Sequence, residues 1–213
     1  MASGGWYFLD MKKSGRKKPV LYLIGGPNGA GKTTAAMSLM PVLIECYEYV
    51  NADAIAKALS PFRPNEVSID AGRLMLKRIH ELSKKLEDYA FETTMASRSF
   101  APFLTKCKKC GYSIHAVYIW IHSPELAIAR VKERVKSGGH FVPDETVRNL
   151  YNRGLKNFFN LYVPIADTWA LYDNSESEIK LVASKERNSA TTIFQADTWK
   201  SIEEATHGYK KRP

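Results

Sequence analysis

The chain has 213 residues, of which 45% are hydrophobic and 25% charged, enough to build one compact core but not several. Its 31 basic and 22 acidic residues leave a net charge of +9, which favours anionic ligands from nucleotides to nucleic acid without choosing among them. The longest apolar run, 112–122, is too short and too polar to span a bilayer. The first ten residues lack the basic-then-apolar order of a secretory leader, so a cytoplasmic setting is expected.

Residues 1–18 read as a flexible basic extension, with Lys12, Lys13, Arg16, Lys17 and Lys18 clustered ahead of the first strand. The β-rich apolar run 19–24 ends in glycines and predicts a buried strand. A helix is expected over 32–40, stopped by Pro41, then a second strand over 46–51 and a short helix over 53–59. Asn65 is a good N-cap for a long amphipathic helix, in which Val67, Ala71, Leu74, Met75, Ile79, Leu82 and Leu86 recur at helical spacing. A third strand at 89–92 follows, then a helix at 100–109 and a long fourth strand at 112–122. Pro124 opens a helix to Lys136, broken by Ser137-Gly138-Gly139. Residues 143–162 predict a further helix, 169–173 a fifth strand, and the tail after Ile179 a β-hairpin.

Strands alternating with helices imply a three-layer α/β sandwich: five strands, mainly parallel, helices on both faces, a small lid near 124–145 and a C-terminal hairpin. Residues 19–213 are expected to form this single domain. Cys107 and Cys110 form a Cys-Lys-Lys-Cys pair, but zinc needs four ligands and no second pair exists. The pair reads as two surface thiols at a helix end.

Gly26-Pro27-Asn28-Gly29-Ala30-Gly31-Lys32-Thr33, followed by Thr34, fits G-x-x-x-x-G-K-[ST] between a predicted strand and a predicted helix. Such a P-loop wraps ATP phosphates in inward-turned backbone N–H groups at a helix N-terminus. Lys32 is placed to reach the β- and γ-phosphates, and the Thr33 hydroxyl to ligate Mg²⁺. No Asn-Lys-x-Asp appears for guanine. Lys136-Ser137-Gly138-Gly139-His140 superficially resembles an ABC ATPase signature, but Asp173 is followed by Asn174 where that class needs a glutamate.

The second strand ends in Asn51-Ala52-Asp53 and the third in Phe91-Glu92-Thr93-Thr94. In a parallel sheet both ends face the phosphates, which makes Asp53 the candidate base for an acceptor hydroxyl. Glu92 and Thr94 become candidates to bind the acceptor or a Mg²⁺-bound water. Arg130 and Arg134 share one helix face ahead of the glycines, as arginines on a lid would. Arg98, Arg148 and Arg153 are further candidates of the same kind, Arg98 and His140 are candidates to bind the acceptor, and Asn174 lies where the adenine is expected. The expected reaction moves the γ-phosphate to a small-molecule hydroxyl. The rivals are a polynucleotide 5′-hydroxyl kinase and an ATPase module that transfers nothing and acts through a partner. Aromatic residues do not interleave with the basic ones, which disfavours a nucleic-acid partner.

Gly-Gly-Pro-Asn-Gly-Ala-Gly-Lys-Thr, Asn51-Ala52-Asp53, Glu92-Thr93-Thr94, the Arg130 helix, Gly138-Gly139-His140 and Tyr172-Asp173-Asn174 together resemble the zeta-toxin family of P-loop kinases, from about residue 20 to 174. The resemblance is to the compact branch, without the long C-terminal extension of larger toxins. It implies phosphorylation of UDP-activated amino sugars such as UDP-N-acetylglucosamine, and a small helical antitoxin over the nucleotide site. It matches Lys32 and Thr33 to ATP and Mg²⁺, Asp53 to the base, Glu92 and Thr94 to the sugar contacts, and Arg130 to a transition-state arginine. Arg134 or His140 would supply the second such charge.

Overall fold

The computed structural model describes residues 18–43, 46–136, 138–139 and 141–207. The basic extension up to residue 17 and His140 therefore lie outside the described residues. Among the described residues seven strands form one sheet in the order β2-β3-β1-β4-β5-β6-β7. They are β1 (Val20–Gly25), β2 (Tyr49–Val50), β3 (Tyr89–Thr93), β4 (Ser113–Trp120), β5 (Thr168–Asp173), β6 (Lys180–Lys185) and β7 (Thr192–Ile193). The first five pair in parallel, while β6 and β7 join antiparallel at the β5 edge.

The sheet thus has seven strands rather than five. The expected hairpin exists, but β6 continues the main sheet because Val182, Ala183 and Ser184 are buried against it. A last helix, α7 (Ala196–His207), was not expected. It is held by Trp199, whose ring stacks on Trp169 at 6.1 Å, and by the fully buried Ile202.

Alternation along the central strands divides the core into layers. Leu21, Leu23, Ile114, Ala116 and Tyr118 face one side with α3 (Ser68–Lys85), α4 (Phe100–Lys109) and the end of α6 (Asp144–Asn157). Val117, Ile119 and Ile121 face the other, under α5 (Pro124–Lys136) and Val147 and Tyr151 of α6. Burying each large apolar side chain contributes about 1.5–3 kcal/mol.

Other boundaries move for local reasons. Pro64–Val67 form a 3-10 turn, so α3 begins at Ser68 and not at an Asn65 cap. It ends at Leu86, whose φ of 56° is left-handed and whose N–H returns to Leu82 and Ser83 carbonyls. The helix expected over 143–162 is α6 followed by a π-helical turn, Phe158–Tyr162. Cys107 is buried beside Ser83, correcting the surface reading, whereas Cys110 is exposed; both are free. Among the described residues, no helix is long and apolar enough to cross a membrane.

Candidate active site

β1 lies between β3 and β4, so the chain leaves its carboxyl end at the point where strand order reverses. The next residues must turn sharply into α1 (Lys32–Leu43). Gly26 adopts φ 144° with its Cα against the Ile119 carbonyl, and a Cβ there would collide with that backbone oxygen. Gly29 has φ 78°, and a Cβ would lie 2.6 Å from the Ala127 carbonyl of α5. Side chains are thus excluded by close backbone approach as well as by dihedral angle.

Lys32 is buried, with Nζ donating to the Pro27 carbonyl at 3.0 Å and lying 3.6 Å from Glu92 Oε1. Burial lowers its pKa, while the carboxylates of Glu92 and Asp53 pull it back up. The Asn28 Oδ1 atom is buried with no hydrogen-bond partner among the described residues.

Glu92 is the hub on the opposite wall. Its Oε2 accepts from the Thr33 hydroxyl at 2.7 Å, from Asn51 Nδ2 at 2.9 Å and from the Tyr49 hydroxyl. Burial, then the Glu92 charge, raises the pKa of Tyr49, so that phenol stays a donor. The Asn51 side-chain oxygen accepts from the Asp53 and Ala54 N–H groups at 2.8 and 3.2 Å, capping α2 (Ala52–Leu59). One asparagine therefore ties the start of α2 to Glu92 and so fixes where Asp53 emerges. Asp53 is 53% exposed, with Arg134 Nη1 of α5 3.8 Å from its carboxylate.

Arg130 lies against the phosphate loop at Gly29, with its guanidinium turned to the loop after β5. Its two guanidinium nitrogens donate to the carbonyls of Asn174 at 2.7 Å and Ser175 at 3.0 Å. Asn174 Nδ2 in turn donates to the Ala30 carbonyl at 2.8 Å. The loop after β5 is thereby stapled to both α5 and the phosphate loop.

Thr94 is half-buried beside Glu92, its hydroxyl accepting weakly from Ala96 N, and Arg98 is exposed. Arg148 pairs with Glu125 at 3.5 Å, and Arg153 donates to the Ala96 carbonyl at 3.2 Å. Tyr49 carried no role in the sequence reading, and Asn51 only a place in a motif. A tyrosine in the short strand that ends at the Asn-x-Asp motif was the available signal for the first, and an N-cap asparagine for the second.

Among the described residues no group of three His, Cys, Asp or Glu side chains could hold a metal alone. Thr33 and Glu92 do present hard oxygen donors 2.7 Å apart beside the phosphate loop, which fits a Mg²⁺ bound largely through nucleotide phosphates and water.

A glycine-rich loop between a central parallel strand and a helix, with a lysine, a threonine and two carboxylates around it, defines the P-loop kinase class of α/β fold. Within that class the chain belongs to the zeta toxin family, whose model matches residues 7–198. It is 32% identical over 136 residues to an uncharacterized protein of Haemophilus influenzae, a match covering 64% of this chain and 94% of that one.

Solved structures share the fold at low identity. The PezAT chromosomal toxin–antitoxin system of Streptococcus pneumoniae superposes with a TM-score of 0.62 at 17% identity, over 92% of this chain and 89% of that one. The AvrRxo1-ORF1:-ORF2 complex with ATP gives 0.72 at 16% identity, over 87% of this chain and 63% of that one. This chain therefore spans less than two thirds of the AvrRxo1 chain it matches.

Proposed function

We propose that this chain is an ATP-dependent phosphotransferase that moves the γ-phosphate onto a hydroxyl of a small, UDP-activated amino sugar. The observation carrying it is the convergence of Lys32, Thr33, Asp53 and Glu92 at the carboxyl ends of β1, β2 and β3, with Arg134 facing Asp53.

Lys32 and the loop amides hold the β- and γ-phosphates, and Thr33 with Glu92 would hold Mg²⁺, which offsets phosphate charge when bound. The acceptor oxygen attacks the γ-phosphorus as its proton passes to Asp53, and the bond to the β–γ bridging oxygen breaks to release ADP. Arg134 approaches from α5 and balances charge on the transferring group. Arg130, bound to the carbonyls after β5, shapes the base end of the nucleotide pocket together with Asn174. Residues 124–145 act as the lid, since α5 carries both arginines and Gly139 N–H closes onto the Arg134 carbonyl at 2.9 Å. Thr94, Arg98 and His140 complete the acceptor side. By family resemblance a small helical antitoxin covers this cleft, and the enzyme works in the cytoplasm.

The test is incubation with γ-labelled ATP and UDP-N-acetylglucosamine, or with a 5′-hydroxyl oligonucleotide. Label in the sugar supports the proposal, and label in the oligonucleotide alone replaces it. Asp53→Asn is expected to keep ATP binding and lose roughly 10²-fold or more in turnover. Unchanged turnover removes Asp53 as the base.

A further inference from the structure

The segment 94–99 joins β3 to α4 and carries Thr94 and Arg98, two of the residues assigned above to the acceptor. Its carbonyls are taken in succession by a single stretch of chain. Gly154 of α6 packs so tightly on the Thr94 carbonyl that a Cβ would overlap it. Asn157 Nδ2 donates to the Met95 carbonyl at 2.9 Å and the Ala96 carbonyl at 3.0 Å. Arg153 Nη2 reaches the Ala96 carbonyl at 3.2 Å, and the Tyr162 hydroxyl donates to the Ser97 carbonyl.

Tyr162 arrives there because the chain widens into a π-helical turn, closed by the Val163 N–H on the Phe158 carbonyl at 2.8 Å. Such turns recur at functional sites. Met95 meanwhile holds φ 56° with its side chain fully buried against Gly25, a conformation that persists in an L-residue only when its surroundings impose it.

Over most of their area the helices meet the sheet through apolar side chains, which set distance but tolerate small shifts. Here directional bonds to consecutive carbonyls set the orientation of each peptide plane. Those planes decide where Thr94 and Arg98 stand relative to Glu92. The same α6 follows the glycine break after α5, so lid and loop share one support.

We propose that Asn157, assisted by Arg153 and Tyr162, is a positioning clamp that sustains acceptor binding by fixing segment 94–97, without touching ATP. This rests on the reading of that segment as the acceptor wall.

Asn157→Asp keeps the size of the side chain but replaces its amide donors with a carboxylate that repels both carbonyls. Asn157→Gln retains donors, and Tyr162→Phe removes a single hydroxyl should the first variant fail to fold. Three readouts are compared: hydrogen exchange of amides 93–99, the Kd of a fluorescent ATP analogue, and KM for UDP-N-acetylglucosamine. Asn157→Asp is expected to raise exchange and acceptor KM about tenfold each while nucleotide Kd stays within about twofold, with partial recovery in Asn157→Gln and about threefold effects in Tyr162→Phe. Unchanged exchange over 93–99, or parallel loss of nucleotide and acceptor affinity, overturns the clamp. If the wild type phosphorylates no acceptor, the kinase reading fails, and loop exchange alone then decides whether the clamp exists.

Discussion

His115 is expected to make the stability of this protein fall as pH drops from about 6.5 towards about 4. It lies on β4, 7% exposed, with Nδ1 2.6 Å from the Thr168 hydroxyl and its ring stacked on Tyr22 at 5.3 Å. Burial pushes its pKa from 6.5 down to about 4; the nearby Asp167 opposes this and Arg187 reinforces it. Between those values the unfolded chain binds more protons than the native one. Stability is therefore complete above about 6.5 and lost as pH falls towards about 4. At about 1.36 kcal/mol per pH unit the gap is worth about 3 kcal/mol, of which about 2 kcal/mol has gone by about pH 5. That is a large part of the roughly 5–15 kcal/mol that holds a domain folded.

The assay is urea unfolding followed by tryptophan fluorescence, compared between about pH 7.5 and about pH 5 for the wild type and His115→Gln. The glutamine can still bond Thr168 but cannot titrate. The wild type is expected to lose about 2 kcal/mol more than the variant over that interval. Equal losses in the two proteins refute the reasoning. Any acid limb in turnover must be separated from this loss before it is assigned to the chemistry.

Two glycines are expected to respond in opposite directions. Gly26→Ala meets backbone that cannot yield, at a φ of 144°, and should destabilise by about 3 kcal/mol or more in thermal or urea unfolding. Gly72→Ala, inside α3 with nothing within 4 Å of the new Cβ, should stabilise by about 0.5–1 kcal/mol. Arg130→Lys loses the paired bonds to the Asn174 and Ser175 carbonyls, so nucleotide Kd should rise about tenfold, with turnover at saturating ATP within about threefold. A large fall in turnover with unchanged Kd would instead return Arg130 to the transferring phosphate.

Much of the scaffold was readable because its signals are local. Helix α4 falls on its expected residues, and continuous apolar, β-rich runs located β1, β3, β4 and β5. Strand β2 shrank to two residues because only β3 pairs with it at the sheet edge. Helix α7 was missed because its apolar stripe is narrow: Trp199 and Ile202 make sense only against the ring of Trp169. That Asp53 after β2 and Glu92 near the end of β3 lie on the same side as the phosphate loop was legible, since parallel strands deliver their carboxyl ends to one edge. Their partners were not.

The amino-acid order alone determined the phosphate loop, because a glycine turn followed by Lys-Thr is a short-range conformational requirement that few residue types satisfy. It determined the alternation of strands and helices for the same reason, as periodicity is written within each element. Only the folded chain decided that Glu92 meets Thr33 across 59 positions, that Arg130 serves the loop after β5 while Arg134 faces Asp53, and that Asn157 grips carbonyls 62 and 61 positions away. Such pairings depend on strand order and helix placement, which settle as the whole core packs and leave no pattern in any one stretch of sequence.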